Sequence, residues 1–240
     1  MRICAHRGAS YYEPENTLRA FRRALEMGAD RIEVDVRLTA DGHIIALHDE
    51  TVDRTTNGSG YARDMTLEEI RRLDAGKGEK IPTIREIINL VKDRADLLID
   101  VKDLGMEDKL AETILNEGLI EDVVFISSLN IIRRLKEICN EFQICPYYRF
   151  VADDPIDMNA VKRLKADWVY MRWMKINGRL VSLLHRSGVK IFASIPDDVE
   201  AGEFDAVIDD LYEMKVDEIV TGRPDLAYAY ISRRRMKLSH

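Results

Sequence analysis

Arg31-Ile32-Glu33-Val34-Asp35-Val36 is the stretch on which the reading of the fold turns. Ile32, Val34 and Val36 are β-branched and apolar, and they alternate with Glu33 and Asp35 in the period-two pattern of a strand. Successive side chains on a strand point to opposite faces, so the two carboxylates share one face. Two like charges side by side in a dry interior repel and lose hydration, so that face is no ordinary apolar core. It is either the wet side of an edge strand or a pair of oxygen ligands for a divalent cation.

The residues that follow sharpen the choice. Thr39-Ala40-Asp41-Gly42 carries the Asp-Gly turn dipeptide, and His43-Ile44-Ile45-Ala46-Leu47-His48-Asp49 comes next. A two-residue loop makes residue sums across the pair odd, which sets His48 opposite Glu33 or Asp35 on their face. A surface strand has no reason to gather two carboxylates and an imidazole.

Upstream, a short strand at Arg2 to Ala5 runs into His6-Arg7-Gly8-Ala9-Ser10. Asn16 or Thr17 caps a helix to Met27 with Leu18, Phe21, Ala24 and Leu25 on one stripe, and Gly28 ends it. Downstream, Thr51 to Gly60 is polar, Thr66-Leu67-Glu68-Glu69 is a capping box, and Thr83 caps a further helix. Strands are then expected at 97–102, 123–127, 143–147, 168–171, 189–194 and 218–221, with helices near 107–117, 129–141, 156–165, 177–187 and 202–214. The Asp35 to His48 connection is too short for a crossover helix, so one member of that pair is antiparallel. The other eight strands close a barrel. The expected fold is α/β, a TIM (β/α)8 barrel with an additional β-hairpin strand and a small insertion around residues 50–82, with 1–240 as a single domain.

Composition agrees with that size of core. The 240 residues are 46% hydrophobic and 33% charged, with net charge −7. Such acidity disfavours broad nucleic-acid binding; the basic Arg233-Arg234-Arg235-Met236-Lys237 reads as a solvated helix end. Cys4, Cys139 and Cys145 form no metal spacing and read as reduced thiols. No apolar run reaches the ~18 residues of a membrane span. The expectation is a cytoplasmic protein without a signal peptide or stable membrane insertion; a homo-oligomer stays open.

Barrel enzymes build their sites from the C-terminal ends of the strands. Here those ends supply His6 and Arg7, Glu33 and Asp35, His48 and Asp49, then Asp100 and Lys102 two apart on one face. Later ends supply Ser127 and Ser128, Tyr147 and Arg149, Arg172, then Phe192 and Ser194. Acids beside bases suit a hard cation and an anionic substrate such as a phosphate. His43, His185 and His240 read as exposed, structural and terminal, and Ser128 as a helix cap.

His6-Arg7-Gly8-Ala9, Pro14-Glu15-Asn16-Thr17, Glu33-Val34-Asp35-Val36, Thr39-Ala40-Asp41-Gly42 and His48-Asp49 together resemble the glycerophosphodiester phosphodiesterases in order and spacing, densely over residues 1–102 and more thinly to Asp225. The resemblance implies a TIM barrel, a divalent metal (Mg2+ or Ca2+), and hydrolysis of a small-molecule glycerophosphodiester to glycerol 3-phosphate and an alcohol. By position it implies metal ligation by Glu33, Asp35 and Asp100, with Asp100 standing where the family has Glu. It implies phosphate binding by Arg7 and Lys102, and general acid and base work by His6 and His48. Glu15, Asn16 and Asp49 are matched as support. Two departures accompany it: the family's Trp-Thr reads Phe192-Ala193, and its Thr-Asp-x-Pro reads Thr221-Gly222-Arg223-Pro224. Phe192 is still expected as an apolar wall for the substrate.

Two other readings stand beside this one. The first is a diesterase for a lysophospholipid or a glycerophosphoinositol, with Trp168, Trp173 and the 50–80 loop as candidates for a wider apolar mouth. The second is a non-catalytic phosphate-binding barrel in which Asp100 spoils the metal site.

Overall fold

The computed structural model describes residues 1–147 and 158–238; Arg149, His240 and the start of the expected 156–165 helix lie outside the described residues. Strands β1 (Arg2–Ala5), β2 (Arg31–Leu38), β4 (Asp96–Val101), β5 (Val123–Ser127), β6 (Gln143–Pro146), β7 (Trp168–Arg172), β8 (Lys190–Ser194) and β9 (Glu218–Thr221) are parallel. They run in the order β6-β5-β4-β2-β1-β9-β8-β7. The two ends of that order meet: the amide of Asp167 donates to the Ile144 carbonyl at 3.0 Å, and the Ile144 amide donates to Asp167 Oδ2 at 2.9 Å. The parallel sheet therefore comes close to full closure as a TIM barrel. The ninth strand, β3 (Ile44–Ala46), is antiparallel and pairs only with β2 among the described strands.

Helices α1 (Leu18–Glu26), α3 (Ile84–Val91), α4 (Glu107–Glu117), α5 (Leu129–Ile138), α7 (Gly178–Arg186), α8 (Ala201–Glu213) and α9 (Pro224–Leu238) follow strands or hairpin, with short α2 (Leu67–Arg72) and α6 (Met158–Arg163). Their starts follow local chemistry. Thr17, not Asn16, caps α1 through its side chain; Thr66 and Thr83 form full capping boxes with Glu69 and Glu86. The outward faces of the strands pack under the helices, as with Ile32, Val34 and Val36. The inward faces form a separate core of Cys4, Leu98, Val124, Ile126, Cys145, Trp168, Phe192 and Val220. All three cysteines are free thiols.

Below that core sits a buried charge pair. Arg31 Nε donates to Glu218 Oε1 at 3.0 Å, and the guanidinium lies 5.6 Å over the Trp168 ring and 5.7 Å over Phe192. Trp168 and Phe192 stack at 4.1 Å. This overturns two expectations. Phe192 is completely buried in the barrel interior and forms no wall of the mouth, and Trp168 is buried with it. Both face inward, as their parity predicts, but lie a layer too deep. Trp173 packs against the outer helical core instead.

The hairpin also departs from the expected register. Its pairs are Val36 with Ala46, Arg37 with Ile45 and Leu38 with Ile44, so residue sums are even. Thr39 and His43 pair as well, through the Thr39 amide to the His43 carbonyl at 2.9 Å. The loop is thus the three residues Ala40-Asp41-Gly42, with Gly42 left-handed at φ 75°. The extra residue reverses the parity, so an extended β3 would set His48 beside Val34, away from the carboxylates. The strand stops at Ala46 and the chain bends instead.

Residues 50–82 are a packed substructure. Ile45, Leu47, Val52, Ala62, Ile70, Ala75 and Ile81 form their own small core. It sits at the same end of the barrel as the strand termini.

Candidate active site

Asp35 and Asp100 are neighbours by register on β2 and β4, both pointing inward. Glu33 lies two residues deeper, beside Leu98, and its longer side chain makes up the difference. All three are buried, and a ligand oxygen from each lies within 4.8 Å of the others. With His6, Arg7, His48 and Lys102 they line one cavity of about 220 Å³, completed by Leu98, Ile126, Tyr147 and Tyr170. His6, Arg7, Glu33, Asp35, His48, Asp100 and Lys102 are therefore brought together; Phe192 is not.

The β1 terminus places His6 and Arg7 through a tight reversal. Arg7 and Gly8 both have left-handed backbones, at φ 54° and 83°. A Cβ on Gly8 would stand 2.6 Å from the Ala20 carbonyl carbon, so the turn lies directly on α1 and admits only glycine. The Arg7 amide donates to Glu33 Oε2 at 2.7 Å, and its guanidinium contacts Asp35 Oδ2 at 3.1 Å and Glu15 Oε1 at 3.0 Å. Asn16, itself left-handed at φ 56°, donates from Nδ2 to Asp35 Oδ2 at 2.9 Å. Lys102 Nζ lies 2.9 Å from Asp35 Oδ1 and 2.5 Å from Asp100 Oδ2. The Tyr147 hydroxyl donates to that same Asp100 oxygen and stands 3.0 Å from Lys102 Nζ.

These contacts set the charge states. Burial, reinforced by Asp35, pushes the Glu33 carboxyl well above the usual range. Burial also acts on Asp35, but Lys102 and Arg7 outweigh it and hold that carboxyl low. Burial pushes Asp100 up against the pull of Lys102. His6 is lowered to about 4, by burial first and Arg7 second. Three carboxyl groups thus face the two cations Arg7 and Lys102, and the proton favoured on Glu33 holds the place that a further cation would take.

His48 reaches the cavity from the bend after β3. Its Nδ1 lies 2.6 Å from Asp49 Oδ1, which leaves Nε2 as the nitrogen available to the cavity. Asp49 is held down to about 2 by a hydrogen bond from Arg54 and then by His48. Arg54 also reaches Glu15, with Nη1 at 2.7 Å from Oε2 and Nη2 at 2.8 Å from Oε1. Sequence reasoning did not single out Arg54, and Tyr147 stood there only as a strand end. Both make non-local contacts that no local spacing announces. His185, expected to be structural, pairs from α7 with Asp217, the residue before β9, at 2.9 Å.

The donor set fits a divalent cation. Asp100 Oδ1 is a buried oxygen without a hydrogen-bond partner, while Oδ2 is occupied by Lys102 and Tyr147. An orphaned carboxylate oxygen beside two further carboxylates is the all-oxygen environment that hard cations take.

Comparison with known proteins gives one answer. The model described as Glycerophosphoryl diester phosphodiesterase family matches residues 6–226. A glycerophosphodiester phosphodiesterase of Caldanaerobacter subterraneus subsp. tengcongensis is 39% identical over 239 residues, covering 93% of this chain and 94% of that one. The crystal structure of a glycerophosphodiester phosphodiesterase from Agrobacterium tumefaciens superposes with TM-score 0.83 at 33% identity, covering 95% of this chain and 99% of the other. An Oleispira antarctica phosphodiesterase in complex with the product sn-glycerol-3-phosphate shares the fold, with TM-score 0.84 at 24% identity over 97% of each chain.

Proposed function

This chain belongs to the glycerophosphoryl diester phosphodiesterase family, and from that premise we propose that it hydrolyses glycerophosphodiesters to glycerol 3-phosphate and an alcohol at the Glu33–Asp35–Asp100 site, with metal and two histidines. The observation that carries this reading is the buried carboxylate triad with Arg7, Lys102, His6 and His48 around one cavity. Glu33, Asp35 and Asp100 would hold Mg2+ or Ca2+, both of which accept carboxylate oxygens. The ion, when bound, supplies positive charge against the phosphoryl oxygens and the charge that develops on them.

The remaining work falls to side chains. Arg7 and Lys102 bind the non-bridging oxygens and offset the negative charge that repels an incoming nucleophile. His6, kept neutral at pH 7 by burial and Arg7, accepts the proton from the attacking oxygen. His48 donates a proton to the departing alcohol oxygen as the P–O bond breaks. Asp49 orients its ring and stabilises the positive charge it carries during transfer. Net, one water is consumed, and its oxygen stays on phosphorus.

The test is release of glycerol 3-phosphate from glycerophosphocholine by wild type, His6→Ala and His48→Ala. Losses of ~10²-fold or more in kcat in both variants support the assignment. Variants that keep activity within a few-fold would remove the histidines from the chemistry. Turnover of lysophospholipid or glycerophosphoinositol in preference to glycerophosphocholine would keep the site and change the substrate. Trp168 is buried in the barrel interior and Trp173 packs against the outer helical core, so neither tryptophan gives that alternative a wider apolar mouth.

A further inference from the structure

Arg54 has none of the roles above, yet it joins two of them. Its Nε donates to Asp49 Oδ2 at 2.6 Å, while both η nitrogens reach the two oxygens of Glu15. Asp49 turns its other oxygen to His48 Nδ1, and Glu15 shares Oε1 with the Arg7 guanidinium. A continuous chain of charged contacts therefore runs His48–Asp49–Arg54–Glu15–Arg7–Asp35. One end is the imidazole, and the other is a carboxylate of the cation site.

We propose that Arg54 is a positioning residue that fixes the His48 imidazole through Asp49 and the Arg7 guanidinium through Glu15. The inference rests on the reading of the site given above. Anchoring the 50–82 substructure is a poor alternative account of these contacts. That substructure already has its own apolar core and backbone bonds, including Val52 amide to Gly60 carbonyl and Ala62 amide to Glu50 carbonyl, both at 3.0 Å. Anchoring also needs no bidentate grip on a carboxylate of the β1–α1 loop. Only the planar fork of arginine reaches both acids at once; lysine, a point charge, serves one. Without Arg54, the Asp49 carboxylate loses the hydrogen bond that holds Oδ2 and is free to rotate toward water. The ring then loses the bias that keeps Nδ1–H on Asp49 and leaves Nε2 as the nitrogen that gives its proton to the departing oxygen, and the neutral ring left by that step is no longer held in the Nδ1–H tautomer.

The experiment compares wild type, Arg54→Ala, Arg54→Lys and Asp49→Asn by steady-state kinetics, thermal melting and 15N spectra of the His48 ring, assigned with His48→Gln. The expected result is a kcat loss of roughly 10²-fold in Arg54→Ala, with KM for glycerophosphocholine raised several-fold as Arg7 loosens. The His48 nitrogens should move from one Nδ1–H tautomer to a mixture in both Arg54→Ala and Asp49→Asn, and Arg54→Lys should recover part of kcat only. A lowered melting temperature with an unchanged His48 tautomer would assign Arg54 to loop anchoring and overturn the proposal, as would kcat within about twofold of wild type. The ring spectra need no turnover, so an inactive wild type would refute the substrate reading while leaving the positioning claim measurable.

Discussion

Asp100 Oδ1, buried and without a partner, and Glu33, pushed up by burial and Asp35, are two faces of one electrostatic fact. Carboxylates packed this closely are costly unless a cation joins them or one keeps its proton. A binding cation must displace that proton. Titration of the metal-stripped protein with Mg2+ or Ca2+ near pH 6, in buffers of different ionisation enthalpy, should therefore show net proton release, and affinity should rise with pH. Binding without proton release would contradict the charge states described here. A second prediction concerns His6. Its value of about 4 lies below the ordinary 6.5, so between these pH values the unfolded chain binds more protons than the native one. His6 stabilises nothing by charging: its share of stability rises with pH through that window and is level above it. In chelator, wild type should lose more melting temperature between pH 7 and pH 5 than His6→Asn does. Equal losses would show that His6 is not held neutral. At this scale the sequence was legible where alternation alone placed a residue, as for Glu33, Asp35 and Asp100. It was silent on Arg54 and Tyr147, whose partners are brought near only by the fold.

The elements show how a right conclusion can rest on a wrong step. The hairpin was expected to bring His48 to the carboxylates through odd register sums; the pairs observed are even, because the loop has three residues. His48 arrives through the bend after Ala46, where the Leu47 amide still donates to the Asp35 carbonyl at 3.1 Å and Arg37 Nε donates to the His48 carbonyl at 3.0 Å. Loop length is decided by the left-handed Gly42 and the Thr39–His43 pair, a three-residue turn that shares its Asp-Gly signature with two-residue ones. Phe192 failed for a related reason: parity gives the face of a strand but not the depth along it. The β1–α1 turn supplies the prediction at this scale. Gly8→Ala would place a methyl 2.6 Å from Ala20 backbone at φ 83°. It should cost at least about 2 kcal/mol in denaturant unfolding, and it should lower kcat by displacing His6 and Arg7. A neutral substitution would mean that the turn is not pinned to α1.

The whole molecule separates a structural end from a chemical one. The alternation of short strands with helices made the barrel legible, because eight parallel strands have few other ways to cover both faces. The Arg31–Glu218 pair in the barrel interior was not, since its partners are 187 residues apart. Removing one partner strands a buried charge, so Arg31→Met should destabilise by ~3–5 kcal/mol, and Arg31→Met/Glu218→Leu should recover much of it. The folded fraction of either should keep kcat within a few-fold, because the pair lies beneath the Trp168–Phe192 layer. Loss of kcat in step with loss of the pair would join two ends that the architecture keeps apart.

The most direct test of the central claim is glycerol 3-phosphate release from glycerophosphocholine by chelator-stripped protein, before and after adding Mg2+ or Ca2+, with Glu33→Ala measured alongside. The account predicts no release from stripped wild type, full return on adding one of the ions, and none from Glu33→Ala under any condition. Undiminished release by the stripped protein, or by Glu33→Ala, would contradict it.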